Sequence, residues 1–316
     1  MATSASVDFS LTRDNIIKMA YQKIGIVGEG GTPTSDQYTE GALMLNAITK
    51  SWNASLGMPL WALELGYILP IHDTNLITLG PSGGHATLSY TSTTLTADSA
   101  ATDTTLTVSS ITGISASDQI GIELDNGNID WTTVNGAPSG TTVTITTGVT
   151  TPASSGNRVY AYTTKITRPL RILGAYTRDV ASNNDVQMEV ITSNAYHGLS
   201  SKTTESYPLQ LHYEPTIDRG NCYIWPRFSN GDRVIVIHFH RPIEDFDASG
   251  DTPDFPQEWY LPLVYELACT VAPNYNTTVR ERQLLRQEAK MWLDRVSSND
   301  YEEGSIQFVP DLYRWQ

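Results

Sequence analysis

Apolar residues recur at helical spacing at both ends of the chain and at alternate positions between them. Near the N-terminus, Ile16, Ile17, Ala20, Tyr21 and Ile24 share one helical face, with Thr12 placed to cap it and Gly25 to end it. After the glycine connector "GEGGTP", a second helix is expected from Thr34, with Gln37 at the capping-box position. Its face carries Tyr38, Ala42, Leu45, Ile48, Trp52 and Leu56, and Gly57 and Pro59 stop it. A third helix is expected over residues 256–272, with Tyr260, Leu263, Val264, Leu267 and Val271 inward and a kink at Pro262. A fourth begins at Thr278 with Glu281 completing a capping box, and turns Leu285, Ala289, Trp292 and Val296 inward. None of these helices can bury its stripe alone. The two pairs, roughly 200 residues apart in sequence, are therefore expected to meet.

Between them the period changes to two. Residues 86–165 contain 21 Thr and 10 Ser with only Arg158 and Lys165 basic, a composition that also suits a disordered stalk. Alternation in "TLTVSSI", "QIGIEL", "IDWTTV", "TVTITT" and "RVYAYTT", and the Asn-Gly of "LDNGNI", favour a folded β-domain instead. Further strands are expected in "GYILPI" and "LITLG" before it, and in "KITRPLRILGAYTRD", "DVQMEVIT", "LQLHYEP", "NCYIWPRF" and "RVIVIHFHR" after it. The fold class that follows is α+β. It combines an antiparallel helical bundle (residues 1–60 with 254–297), an antiparallel β-sheet region (61–85 with 166–253) and an inserted all-β domain (86–165). An extended C-terminal arm (298–316) completes it.

Charge and composition narrow the function classes. The 316 residues carry 34 acidic and 20 Lys and Arg side chains, a net charge of −14, which argues against gripping a nucleic-acid backbone. No apolar run reaches the length of a membrane span, and the first residues lack the basic-then-apolar order of a secretory signal. Two cysteines, Cys222 and Cys269, make neither a Cys-only zinc site nor a disulfide framework, as expected of a chain folded in a reducing cytoplasm.

The chemistry-bearing candidates are few. Asp254 and Glu258, four residues apart, could act as an acid–base pair, but carboxylates at a helix start are accounted for by the helix dipole. His238 and His240 project to one face of a strand, as a metal pair would with Glu244, Asp245 or another residue as third ligand, but two sheet histidines facing solvent or a subunit contact are the commoner arrangement. Asp125 and Asp130 in "LDNGNID" resemble a calcium loop without its alternating oxygens or terminal Glu, so a turn is the expectation. "GEGG" at residues 28–31 follows a helix rather than a strand and is expected to be a connector, not a phosphate cradle. Arg280, Arg282, Arg286, Lys290 and Arg295 alternate with acids on the last helix, the pattern of a solvated or subunit-facing surface. Arg168, Arg171 and Arg178 fall on strands, where interface salt bridges are the expectation and phosphate contact has no support. No catalytic residue, cofactor site or metal site is assigned, and the protein is not expected to be an enzyme. The final residues, "SSNDYEEGSIQFVPDLYRWQ", are rich in apolar and aromatic side chains. Phe308, Leu312, Tyr313 and Trp315 can anchor an arm in a groove of a partner or of its own domain.

The order of several segments resembles the head-to-tail adaptor proteins of short-tailed bacteriophages, the tail tubular protein A-like or DNA-stabilisation proteins. The segments are "MLNAITKSWNASLGMPLW", "ITRPLRILGAYTRD", "LHYEPTIDRGNCYIWPRF", "RPIEDFDASGDTPDFPQEWYLPLVYELACTVAPNY" and "SIQFVPDLY". The segment "GIELDNGNIDWTTV" looks like the β-insertion of the longer members. The resemblance implies a virion structural protein, assembled in the host cytoplasm into a dodecameric ring at the neck of the particle. That ring would seat beneath the portal protein, meet the tail nozzle and fibre proteins, continue the DNA channel without sequence-specific binding, and retain the genome. Phe308, Leu312, Tyr313 and Trp315 would then form the portal-binding arm. The alternatives are a tail nozzle subunit, or a virion glycan-binding or depolymerase protein in which Trp131, Tyr160 and Tyr162 stack on sugar.

Overall fold

The computed structural model describes residues 8–55 and 60–298. The protein is a mixed α+β chain that divides into two compact units. One is continuous, Leu63–Pro242, and the other joins the residues up to Ala62 with those from Ile243 onward.

The first unit to consider is the two-segment one. It holds α1 (Arg13–Lys23), α2 (Ser35–Ser55), a 3-10 turn Leu60–Ala62, a second 3-10 turn Gln257–Trp259, then α4 (Tyr260–Val271), a 3-10 turn Ala272–Tyr275 and α5 (Val279–Ser297). Local chemistry sets the helix starts. The Thr12 side chain accepts the Asn15 N–H, and Thr34 and Gln37 exchange backbone-to-side-chain bonds at 2.8 and 3.3 Å. Thr278 and Glu281 form a complete capping box. The apolar stripes of α1, α2 and α4 share one core of Ile16, Ile17, Tyr21, Leu45, Trp52, Leu263 and Leu267, among others, with Leu285, Leu293 and Val296 of α5 packed against it. Leu56 lies outside the described residues.

Two local expectations differ from the structure. Pro256 precedes the 3-10 turn instead of opening the α-helix. Because that turn displaces the start of α4 to Tyr260, Pro262 sits in the first helical turn. Its missing N–H falls where a helix has no partner to offer, so no interior bond is lost there. The segment from Ile243 to Asp254 also belongs with the helices, not with the sheet. Asn46 of α2 bonds the backbone of Phe246 in both directions, Asn53 accepts the Ile243 N–H, and Lys50 reaches the Ile243 carbonyl and Asp245. These polar side chains of α2 fasten the segment, and hydrophobic spacing does not encode them.

The continuous unit runs β1 (Leu63–Ile68), β2 (Leu76–Leu79), β3 (Ala86–Thr87), β4 (Thr91–Thr94), β5 (Thr105–Thr107), β6 (Gln119–Glu123), β7 (Ile129–Thr133), β8 (Thr142–Thr144) and β9 (Arg158–Tyr162). There follow β10 (Arg171–Asp179), β11 (Asp185–Val190), α3 (Ser193–His197), β12 (Glu205–Ser206), β13 (Gln210–Pro215), β14 (Gly220–Trp225), β15 (Arg227–Phe228) and β16 (Arg233–His240). Eight strands form one large sheet in the order β2-β14-β13-β11-β10-β16-β1-β3, antiparallel except where β11 meets β13. The Thr-rich segment forms a four-stranded sheet, β4-β9-β6-β7, and a β5-β8 pair around its own core of Leu106, Ile120, Ile122, Val143, Val159 and neighbours. The Asn126-Gly127 turn is a three-residue loop. Gly127 N–H bonds the Leu124 carbonyl, Leu124 N–H bonds the Asn128 carbonyl, and Gly127 takes φ +85°.

Strand alternation explains how these layers join. On β9, Val159 and Ala161 point into the Thr-rich segment's core, while Tyr160 and Tyr162 point the other way. On β16, Ile235, Ile237 and Phe239 enter the core of the large sheet, while Val234 and Val236 meet Tyr160 and Tyr162. Both faces of β16 are therefore covered, which is why "RVIVIHFH" reads as an almost unbroken apolar run.

Candidate functional site

The feature of the helical unit that is most site-like is an open apolar groove of about 560 Å³. Its walls come from the chain ahead of α4 (Trp61, Pro256, Glu258, Trp259), from Leu261 in the first turn of α4, and from the last turns of α5 (Trp292, Arg295, Val296). Aromatic contacts fix the geometry. Trp259 is buried between Trp52 and Trp61, with ring centroids 5.7 and 5.8 Å away, and Trp61 also meets Phe255 at 5.7 Å. Trp292 lies beside Tyr265 at 6.5 Å, with the Arg295 guanidinium 4.8 Å over its ring. The groove carries one acid and one base on an otherwise apolar surface, which suits a peptide with large side chains better than a small polar substrate.

The chemistry-bearing residues named from the sequence are placed as follows. Asp254 accepts the Glu244 N–H at 3.2 Å within the acidic loop, while Glu258 lines the apolar groove, so the two carboxylates serve different surroundings. His240 is buried and His238 is exposed beside Tyr176 at 5.8 Å. Among the described residues, the side chains that converge as metal ligands would are a different trio, His72, Asp73 and Glu205. There the Arg227 guanidinium already bridges Asp73 at 3.3 Å and Glu205 at 2.5 Å, so an internal cation occupies the place an ion would take. Asp125 accepts the Ser154 N–H, the Ser154 hydroxyl and the Asn157 amide, and these bonds hold its carboxyl below the ordinary range. Asp130 accepts the Thr150 N–H at 2.6 Å. Both acids therefore fasten loops. In the 28–31 connector, the Gly31 N–H bonds the Gly28 carbonyl, and Gly25 and Gly30 take positive φ. Arg178 on β10 makes a two-pronged bond to Asp185, its ladder partner on β11.

The aromatic residues considered for sugar stacking are not an open platform. Tyr160 and Tyr162 are buried in the layer against Val234 and Val236. The Trp131 ring is stacked by His85 at 3.8 Å and 9°, and its N–H bonds the Pro70 carbonyl at 3.1 Å. It also meets Tyr162 edge-on at 5.9 Å and Gly121, its ladder partner. Strand alternation turns Tyr160 and Tyr162 toward Val234 and Val236 of the large sheet, and Trp131 packs in the same layer. His85 completes the cluster by bonding the Tyr162 hydroxyl at 2.9 Å, and burial with the Lys165 charge drives its imidazole pKa down to about 3. Burial raises both thiols, Cys269 to about 11 and Cys222 further, so neither is poised as a nucleophile.

Sequence reasoning missed the groove. Trp61, Trp259 and Trp292 come from three separate elements, and only Trp292 was expected to face inward. A cue was present in Trp259 and Leu261, which flank the inward stripe of α4. The anchor residues Phe308, Leu312, Tyr313 and Trp315 lie outside the described residues. Comparison of the chain with protein-family models and with curated proteins finds no match.

Proposed function

We propose that this chain is a virion structural protein of the head-to-tail adaptor kind, joining a portal to a tail nozzle in a dodecameric ring and continuing the DNA channel. One observation carries the reading. Helices from two distant segments close on a single core, with Asn46 bonded to Phe246 across 200 positions, while the intervening chain folds as a β unit of its own. That arrangement supports a portal-facing antiparallel helical bundle, with a β-sheet region and an inserted β-domain serving the tail side. Further support comes from the acidic charge, which suits a channel wall that lets DNA slide. Asp125, Asp130 and Asp254 accept backbone hydrogen bonds, His240 is buried and burial raises both thiols, which also favours assembly over catalysis. In this reading Phe308, Leu312, Tyr313 and Trp315 anchor the arm in a portal groove, and the ordering cost of the arm is offset by aromatic burial.

The test is sedimentation of the full chain with and without the portal protein of the same virus. The expected result is a ring-sized assembly that joins the portal, and loss of that joining when Phe308 and Trp315 are both changed to Ala. A chain that stays monomeric and ignores the portal overturns the reading.

A further inference from the structure

We propose that the apolar groove between the start of α4 and the end of α5 is the seat of the chain's own C-terminal segment, residues 305–313 ("SIQFVPDLY"), bound within the same chain. Three features converge on that occupant. The first is chemistry. The groove offers Trp61, Trp259, Trp292, Leu261 and Val296 with one acid, Glu258, and one base, Arg295. The segment and the residue after it offer Ile306, Phe308 and Leu312 with one acid, Asp311, and one base, Arg314. The second is place. Arg295 and Val296, which form one wall, stand just before Ser298, the last described residue. The ten residues from Ser298 to Phe308 span up to about 33 Å, ample for Phe308 to return to that wall. The third is size and form. About 560 Å³ accommodates two or three large side chains. Ile306 and Phe308, two apart, project to one side of an extended peptide, and Pro310 biases Val309 toward that extended form.

The tether decides between this occupant and a second copy. A short linker holds the segment near the groove at an effective concentration in the millimolar range, above that of any other copy in dilute solution. The seat does not depend on the adaptor reading. If that reading holds, the same anchors must leave the groove to reach the portal, so the seat keeps the arm closed until the portal competes for it.

The experiment places p-benzoyl-phenylalanine at position 308 of the full chain, mixes ordinary and heavy-nitrogen copies equally, and maps the photo-cross-links by mass spectrometry. Cross-links to Trp259, Leu261, Trp292 or Val296 within single chains are expected. Leu261→Asp should reduce their yield about tenfold with the far-ultraviolet circular dichroism unchanged, because an acid in the first turn of a helix is well tolerated. Should that variant lose its helical signal, Val296→Asp replaces it. Cross-links between differently labelled copies, cross-links outside the groove, or a yield indifferent to a folded groove variant each overturn the proposal. Cross-links in the groove from a chain that ignores the portal would sink the adaptor reading alone. Portal binding without them would sink the seat alone.

Discussion

Glu40 ties three parts of the helical unit together through one carboxylate. Its carboxylate accepts the Tyr21 hydroxyl at 2.8 Å, the Tyr275 hydroxyl at 2.6 Å and the Asn274 amide at 2.6 Å, so one side chain of α2 joins α1 to the 3-10 turn after α4. Tyr21 is fully buried and meets Tyr275 edge-on at 5.4 Å. In Glu40→Ala, the Tyr21 hydroxyl loses its anionic acceptor inside the core. Bonds to a charged acceptor contribute about 1.5–3 kcal/mol each, but these three share one carboxylate and Asn274 is exposed, so they do not add. A loss of about 2–3 kcal/mol is expected. Burial alone would raise the Glu40 pKa. The hydrogen bonds from Tyr275, Asn274 and Tyr21 together outweigh it and hold the carboxyl below the ordinary value of 4.5. A depressed carboxyl contributes stability that is fully present above the unfolded pKa and is lost as pH falls through the folded one. The difference between the native chain and Glu40→Ala should therefore be constant from neutral pH down to about 5 and shrink below 4.5. Because the chain has two units, a global transition would mix them. Amide exchange read by mass spectrometry on α1 and on Ala272–Tyr275, with β10 and β16 as internal controls, isolates the effect. A loss under about 0.5 kcal/mol at neutral pH, or a difference that persists unchanged at pH 3, would refute the reasoning.

Two further outcomes follow from the layer between the sheets. A methyl group at Gly121 would stand 2.7 Å from the Trp131 ring, which the Pro70 carbonyl and the His85 stack hold in place. Gly121→Ala should therefore cost about 1–3 kcal/mol, read by amide exchange on β6 and β9, while Gly250→Ala, whose new atom meets nothing within 4 Å, should leave that exchange unchanged. His85 should stay neutral in the native chain down to a pH of about 3, visible as an imidazole resonance that does not titrate from pH 8 to 4. A histidine with a depressed pKa adds stability that is complete above the unfolded value of 6.5 and declines as pH falls toward 3, so His85→Phe should flatten the acid limb of the stability profile.

What the sequence by itself determined is the set of local elements. Thr12, Thr34 and Thr278 carry their own capping instructions within three residues, and all three helices start there. Period two in "RVYAYTT" and the β-branched apolar run of "RVIVIHFHR" were enough to place strands, since both are local properties of the chain. Which face of each strand meets what was decided only in three dimensions. Tyr160 and Tyr162 face Val234 and Val236, more than seventy positions away, and nothing near them in the chain distinguishes that layer from an open aromatic platform. The same holds for Pro262, whose effect depends on a 3-10 turn setting the start of α4, and for the groove, which exists only because Trp61, Trp259 and Trp292 are brought together from separate elements. Capping and periodicity act through bonds and contacts within a few residues, so sequence encodes them directly. Burial partners and concave surfaces arise from packing between distant segments, where the free energy belongs to the pair of surfaces and not to either stretch of chain.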